Sequence, residues 1–402
     1  MSWKRKKIGE VLNFKRGYDL PSSVRNLGDI PVISSAGISD FHDDYKKEGE
    51  GIITGRYGTL GEIYYINGKY WPLNTTLYIT DFKGNNAKFM YYFLKTIHLE
   101  RFNGAAAVPG LDRNVIHKVE VLFNEDTIVQ QKIACILSSY DELIENNKQR
   151  IKLLEEMAEE IYKEWFVRLR FPGYENTKIV DGLPEGWERK PIDSFVDIIS
   201  GYAFKTQSFD SEGIYKLVTI KNAQDGFFVT QTTDYIYELP KNLKEDCKLK
   251  DKDIILSLTG NIGRICMVYG ENYVLNQRVA KLKPKQQNYF EFVYLMFRSS
   301  FLRATLENLS NGAAQQNLSP IEMGKLEFLF PSEKIINKFS ELTKSFFDEI
   351  ITLNKKNQLL QETRDLLLPR LISGKLSVEH LVEEELGMVA EEKAIYKNKN
   401  HN

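Results

Sequence analysis

Two short loops hold the residue types best suited to touching a polar ligand. Thr54-Gly55-Arg56-Tyr57-Gly58-Thr59-Leu60-Gly61 and Leu258-Thr259-Gly260-Asn261-Ile262-Gly263-Arg264 set guanidinium, amide and hydroxyl groups among glycines. Glycine lets a backbone approach a ligand closely, and Arg and Asn match the hydrogen-bonding edges of bases. A tight β-turn, repeated because the fold repeats, accounts for the glycines equally well. Neither loop ends in Gly-Lys-Ser/Thr, so neither is a phosphate-cradling nucleotide loop. A second pair of loops begins Asn103-Gly104-Ala105-Ala106 and Asn311-Gly312-Ala313-Ala314. The later copy continues Gln315-Gln316-Asn317, amides suited to adenine in the major groove. The earlier one continues Ala107-Val108-Pro109-Gly110-Leu111-Asp112-Arg113. An exposed loop with no role is the plain alternative.

Lys15, Arg16, Tyr18, Lys205, Gln277 and Arg278 join Arg56, Tyr57, Thr59, Arg113, Thr259, Asn261, Arg264, Gln315, Gln316 and Asn317 as the candidate DNA contacts. Taken singly, each of the first six reads as ordinary surface before it reads as a contact.

Catalytic chemistry has no comparable foothold. No Ser/His/Asp arrangement is present, and the five histidines and three cysteines lack metal-ligand or disulfide spacing. Carboxylates such as Glu155-Glu156 and Glu159-Glu160 read as a solvated helix face. There is no Asn-Pro-Pro-Tyr-like tetrapeptide to grip a target adenine and no Gly-rich loop for a methyl donor. The expectation is a reader with no catalytic centre, cofactor or metal.

The elements that position these loops are written twice. Trp3, Ile8, Gly17 and Tyr18 recur 184 positions later as Trp187, Ile192, Gly201 and Tyr202. Ile52-Ile53, Gly58, Gly61, Leu73 and Asn74 recur 202 positions later as Ile254-Ile255, Gly260, Gly263, Leu275 and Asn276. Lys118, Glu120, Phe123, Tyr140-Asp141 and Ile144 return 207 positions later as Lys325, Glu327, Phe330, Phe347-Asp348 and Ile351. Offsets that change only between blocks mark a duplicated module with insertions. The first step in offset leaves 18 extra residues between Phe204 and Ile254.

Each copy opens on a head dense in short strand-like runs. Ile30-Pro31-Val32-Ile33 and Ile63-Tyr64-Tyr65-Ile66 lie in the first, Leu217-Val218-Thr219-Ile220 and Val279-Ala280-Lys281-Leu282 in the second. One helix is expected over 87–99. Each copy closes on a long helix. Over 126–167 the seam is Ile133, Leu137, Tyr140, Ile144, Asn147, Ile151, Leu154, Ala158, Ile161 and Trp165. Over 333–372 it is Ile336, Phe339, Thr343, Phe346, Ile350, Leu353, Asn357, Leu360, Arg364, Leu367 and Leu371. Steps of three and four mark coiled coils, and a polar residue within the seam fixes register. By offset, Asn147 corresponds to Asn354 rather than Asn357.

The resulting organisation is α+β. Two mixed α/β heads (1–124 and 187–331) alternate with long helices (125–170 and 332–374), with a turn-rich linker over 171–186 and an acidic, mobile tail over 375–402. The helices are expected to pair antiparallel with an approximate two-fold axis. Their first seam is roughly 50 Å long, about fifteen base pairs of B-DNA, so they would act as a ruler. Overall composition is ordinary: 42% hydrophobic, 27% charged, net charge −1. Near-neutrality argues against tight sequence-blind nucleic-acid binding by this chain alone. With neither a signal sequence nor a membrane-length apolar run, the chain reads as cytoplasmic.

In this order and duplication the sequence resembles the specificity subunit of type I restriction-modification systems. Leu183-Pro184-Glu185-Gly186-Trp187 is similar to that family's approach to a target recognition domain. Leu366-Leu367-Leu368-Pro369-Arg370-Leu371-Ile372-Ser373-Gly374-Lys375-Leu376 is similar to its close of a helical region. The first head keeps only Trp3 of the approach motif. The resemblance implies a non-catalytic reader of double-stranded DNA, each head taking one half of a split, asymmetric site. It also implies two modification subunits, which methylate adenine with S-adenosylmethionine, docked on helix exteriors around 140–162 and 347–364. Motor-nuclease restriction subunits would complete the complex. A coiled-coil scaffold for proteins, and a divergent single-chain DNA-modifying enzyme, are the two rival readings.

Overall fold

The computed structural model describes residues 3–103, 110–311 and 317–381. It divides into two compact units, Met1–Ile144 with Leu359–Asn402, and Glu145–Gln358. Each long helix is shared between them: Thr127–Tyr162, followed by a π-helical turn Lys163–Val167, and Glu333–Ile372.

In the first unit, Trp3–Lys7 pairs antiparallel with Glu120–Asn124, so the start of the head is tied to its end. A four-stranded antiparallel sheet follows in the order Asn13–Arg16, Thr76–Asp81, Glu50–Gly55, Ile63–Asn67. A smaller sheet joins Gly37–His42, Ile30–Ser34 and Trp71–Pro72, the last pair parallel. The helix expected over 87–99 is Ala87–Lys95: Asn86 caps its start, accepting from the Phe89 amide at 2.9 Å. It ends early because His98 takes a left-handed φ of 55° and a separate 3-10 turn follows. Its buried face (Phe89, Met90, Phe93) meets Ile8, Phe14 and Phe123, and the helical residues Ile133, Leu137 and Leu371 close the core.

The second unit repeats this plan. Glu188–Pro191 pairs with Glu327–Phe330, and a four-stranded sheet runs Val196–Ser200, Val279–Pro284, Ile254–Ser257, Ile265–Met267. Even single bonds recur. The Ile8 amide donates to the Val119 carbonyl at 3.0 Å and the Ile192 amide to the Leu326 carbonyl at 2.9 Å. The second core adds an aromatic knot in which Phe166 lies 4.9 Å from Phe339 and 5.0 Å from Phe292.

Both units pair their two helical segments antiparallel, as expected of a chain that turns back between its two seams. In the second, Asn147 meets Asn357, Arg150 meets Glu349 at 2.8 Å, and Tyr162 meets Phe339. In the first, Asp141 meets Arg364 while Lys132, farther back, reaches the Leu381 carbonyl at 2.7 Å. The two asparagines that failed to correspond by offset face one another: Asn147 Nδ2 donates to Asn357 Oδ1 at 2.8 Å. Antiparallel partners are not repeat equivalents, which explains the mismatch.

The first residues of the expected tail, 375–381, return to the first unit. Val378 is buried in the first core and Leu381 packs beside it, because both are apolar and reach back along the helix. Residues 382–402 lie outside the described residues.

Candidate nucleic-acid interface

The cleft of the first head is built where three chain segments cross. Asn13–Arg16 ends at Gly17, whose added Cβ would stand 2.2 Å from the Leu73 carbonyl oxygen, so only glycine permits the crossing. The Gly-rich loop folds back on itself, with Gly58 and Gly61 at φ of 83° and 85°. It then pairs with the end of the second loop. Tyr57 bridges Gly110, and the Leu111 amide donates to the Arg56 carbonyl at 2.9 Å. Asp112 caps the short helix Arg113–Ile116, accepting from the Asn114 amide at 2.8 Å.

This geometry gathers Lys15, Arg16, Tyr18, Arg56, Tyr57 and Arg113 around a cleft of roughly 660 Å³. Six of the seven residues expected in this head therefore converge. Thr59 is exposed but outside the lining. The Arg56 guanidinium lies 4.5 Å from the centre of the Tyr57 ring, and its Nη2 donates to the Tyr57 hydroxyl at 3.3 Å. Buried Tyr78 keeps its proton and hydrogen-bonds the Tyr18 hydroxyl at 2.9 Å. That bond, aided by the charges of Lys15, Lys47 and Lys46, lowers the Tyr18 pKa.

Sequence reasoning missed these two lysines. Lys46 lies 4.3 Å over the Trp71 ring and Lys47 5.4 Å over Tyr78. In sequence they sit in a mixed-charge run, Asp43-Asp44-Tyr45-Lys46-Lys47-Glu48, which gave no signal.

The second head repeats the crossing. Gly201 would place a Cβ 2.2 Å from the Asn276 carbonyl oxygen, Thr259 bridges Asn317, and the Leu318 amide donates to the Leu258 carbonyl at 2.9 Å. The chemistry differs. A cleft of roughly 600 Å³ is lined by Gln224, Asp225, Phe227, Asn261, Arg264 and Arg303 among others. Arg264 is held by the Gln224 amide oxygen, and the Asn261 amide oxygen, turned towards it, accepts from Nη2 at 2.8 Å. Arg303 pairs with Asp225 at 2.5 Å.

Of the residues expected here, Asn261 and Arg264 line the cleft. Lys205, Gln277, Arg278 and Asn317 are exposed and Thr259 is half-buried, all outside its lining. Gln315 and Gln316 lie outside the described residues. Gln224, Asp225, Phe227 and Arg303 were not foreseen. The first three belong to the insertion, for which the first head offers no template.

Among the described residues no group of three metal-ligating side chains occurs, and no helix is long and apolar enough to cross a membrane.

Each head repeats the same loop junction and carries a polar cleft with a lining of its own. The chain belongs to the family of the type I restriction modification DNA specificity domain, matched over residues 1–156 and 184–361. It is 26% identical over 417 residues to the type I restriction enzyme MjaIX specificity subunit of Methanocaldococcus jannaschii, covering 94% of each chain. It is 27% identical over 315 residues to the HindI specificity subunit of Haemophilus influenzae, covering 62% of this chain and 68% of that one. The crystal structure of the type I restriction-modification S subunit from M. genitalium shares the fold, with a TM-score of 0.62 at 18% identity, covering 92% of this chain and 96% of that one. By family, the chain is a DNA-sequence-recognition subunit and not itself an enzyme. Specificity subunits of this kind work in complexes with DNA and other restriction-modification subunits.

Proposed function

We propose that each head reads one half of a split, asymmetric site in double-stranded DNA through its cleft, and that the paired helices set the unread spacer. The observation that carries this reading is the repeated meeting of two loops, Tyr57 with Gly110 and Thr259 with Asn317, around unlike side chains. A shared frame with different hydrogen-bonding groups is what two different half-sites require. In the first head Arg56, Arg113, Lys15 and Arg16 contact DNA, with Tyr18 and Tyr57 as aromatic partners. In the second, Asn261 and Arg264 read bases, and Lys205, Gln277, Arg278, Thr259 and Asn317 flank them.

Two modification subunits dock on the helices, and motor-nuclease subunits complete the complex. Supporting this, Leu143, Leu359 and Leu366 are exposed on helical segments of the first unit, and Leu153, Met157 and Leu342 on those of the second. The test is single-molecule sequencing of adenine methylation in cells carrying this chain with its modification subunit. A split motif that vanishes on deleting the chain is the expected result. An active modification subunit with no chain-dependent motif would overturn the proposal.

A further inference from the structure

The two heads differ most at one hairpin. In the first, Ile30–Ser34 returns as Gly37–His42 through Ser35-Ala36 alone. In the second, the corresponding pair Tyr215–Val218 and Tyr235–Ile236 is separated by residues 219–234, which hold most of the insertion.

This excursion is built, not slack. Asn222 is 1% exposed; its Oδ1 accepts from the Thr219 amide at 2.9 Å, and its Nδ2 donates to the Val229 and Gln231 carbonyls, each at 2.9 Å. Ala223 bridges Phe228, and Phe228 is buried against the Tyr273 ring at 4.9 Å. At the tip, Gly226 takes a φ of 83° and its amide donates to the Ile265 carbonyl at 2.9 Å. A Cβ on Gly226 would stand 2.7 Å from Arg298 Nη1, and that guanidinium is itself fixed by Glu155, Glu159 and Tyr294.

Just past the Gly226 bend, Phe228 turns into the core and its neighbour Phe227 stays outside. Phe227 is 58% exposed on the wall of the second cleft, beside Gln224, Asn261, Arg264 and Arg303. Amide and guanidinium forks match adenine and guanine in the major groove, where the one apolar base feature is the thymine 5-methyl group. We infer that Phe227 contacts a thymine 5-methyl group in the half-site read by the second head, and is a specificity-determining residue of that head. This rests on the cleft being the DNA-reading surface. The first head has no equivalent, since its hairpin ends in Ser35-Ala36.

The experiment uses the assembled complex and duplexes carrying both half-sites from the methylation map. Each thymine of the second half-site is replaced in turn by deoxyuridine, which removes only the methyl group. One replacement should weaken wild-type binding about fourfold, the worth of burying one methyl-sized group. Phe227→Ala should bind thymine and uracil duplexes equally, and an unchanged melting temperature would show that the exposed substitution leaves the fold intact. The assignment is overturned if no uracil weakens wild type, if Phe227→Ala keeps the penalty, or if the half-site holds no thymine. Absence of any protection of the second half-site by wild type would instead overturn the DNA reading itself.

Discussion

Asn147 and Asn357 face each other across the helical seam at 2.8 Å, amide nitrogen to amide oxygen, with Asn357 7% exposed. Among the apolar seam neighbours Ile350, Leu353 and Ile151, this bond discriminates between registers, because a slip by one turn would leave a buried amide with no partner. Asn357→Leu alone should therefore cost about 1–3 kcal/mol of unfolding free energy. Asn147→Leu combined with it should recover most of that loss. Urea denaturation of the single and double variants checks both; a double variant as unstable as the single would show that the amides contribute more than register.

Arg298 is tied to Glu159 at 2.9 Å and to Glu155 at 3.4 Å. Burial raises the Glu155 pKa to about 6 from 4.5, with the charge of Arg298 opposing and that of Glu159 assisting. The folded state thus holds this proton more tightly than the unfolded chain does. Between about pH 4.5 and 6, stability should fall as pH rises, by about 2 kcal/mol. The difference in unfolding free energy between wild type and Glu155→Gln, followed across that range, isolates the effect.

His117 has the opposite sign. Its Nε2 accepts from the Phe14 amide at 3.0 Å, one residue before Lys15, and burial together with Arg113 lowers its pKa below 6.5. Its contribution is fully present above pH 6.5 and is lost as pH falls through the lowered folded value. His117→Asn should flatten the acid limb of the stability curve, and NMR titration of the ring gives the folded pKa directly.

Arg56 and Lys47 should separate base reading from backbone contact. Arg56→Ala is expected to weaken binding by roughly 1–3 kcal/mol and to relax one position of the first half-site only. Lys47→Ala should weaken all sequences alike and reduce the salt slope by about one. Binding isotherms over a salt series on matched and mismatched duplexes distinguish the two.

Exchange of residues 1–124 for another head should alter one half-site and leave the other unchanged. Removal of one heptad from each helix should shift or abolish recognition of the native spacer. Methylation mapping reads both results, and a change in both half-sites on head exchange would contradict the modular reading.

Most of the frame was legible because it is repeated. The residues that hold it, such as Gly17 and Gly201 or Ile8 and Ile192, sit where crowding or burial leaves little choice. The convergence of Arg56 with Arg113 was not itself visible, since nothing in their spacing requires Tyr57 to bridge Gly110. Phe227 and Arg303 escaped notice for a related reason. One lies in an insertion found once, and the other on a helix face whose direction only packing settles. Lys46 and Lys47 acquire meaning only beside Trp71 and Tyr78.

The hairpin turn at Ser35-Ala36 carries an evolutionary consequence. In one copy it is two residues long; in the other the same place admits a folded excursion, while the antiparallel strand pair on either side is kept. Lengthening a surface loop costs little entropy. New text can thus be spliced at this point without disturbing the grammar around it. A lineage under pressure to change its address code could do so here, by insertion or recombination, while the parts that partners recognise stay unaltered.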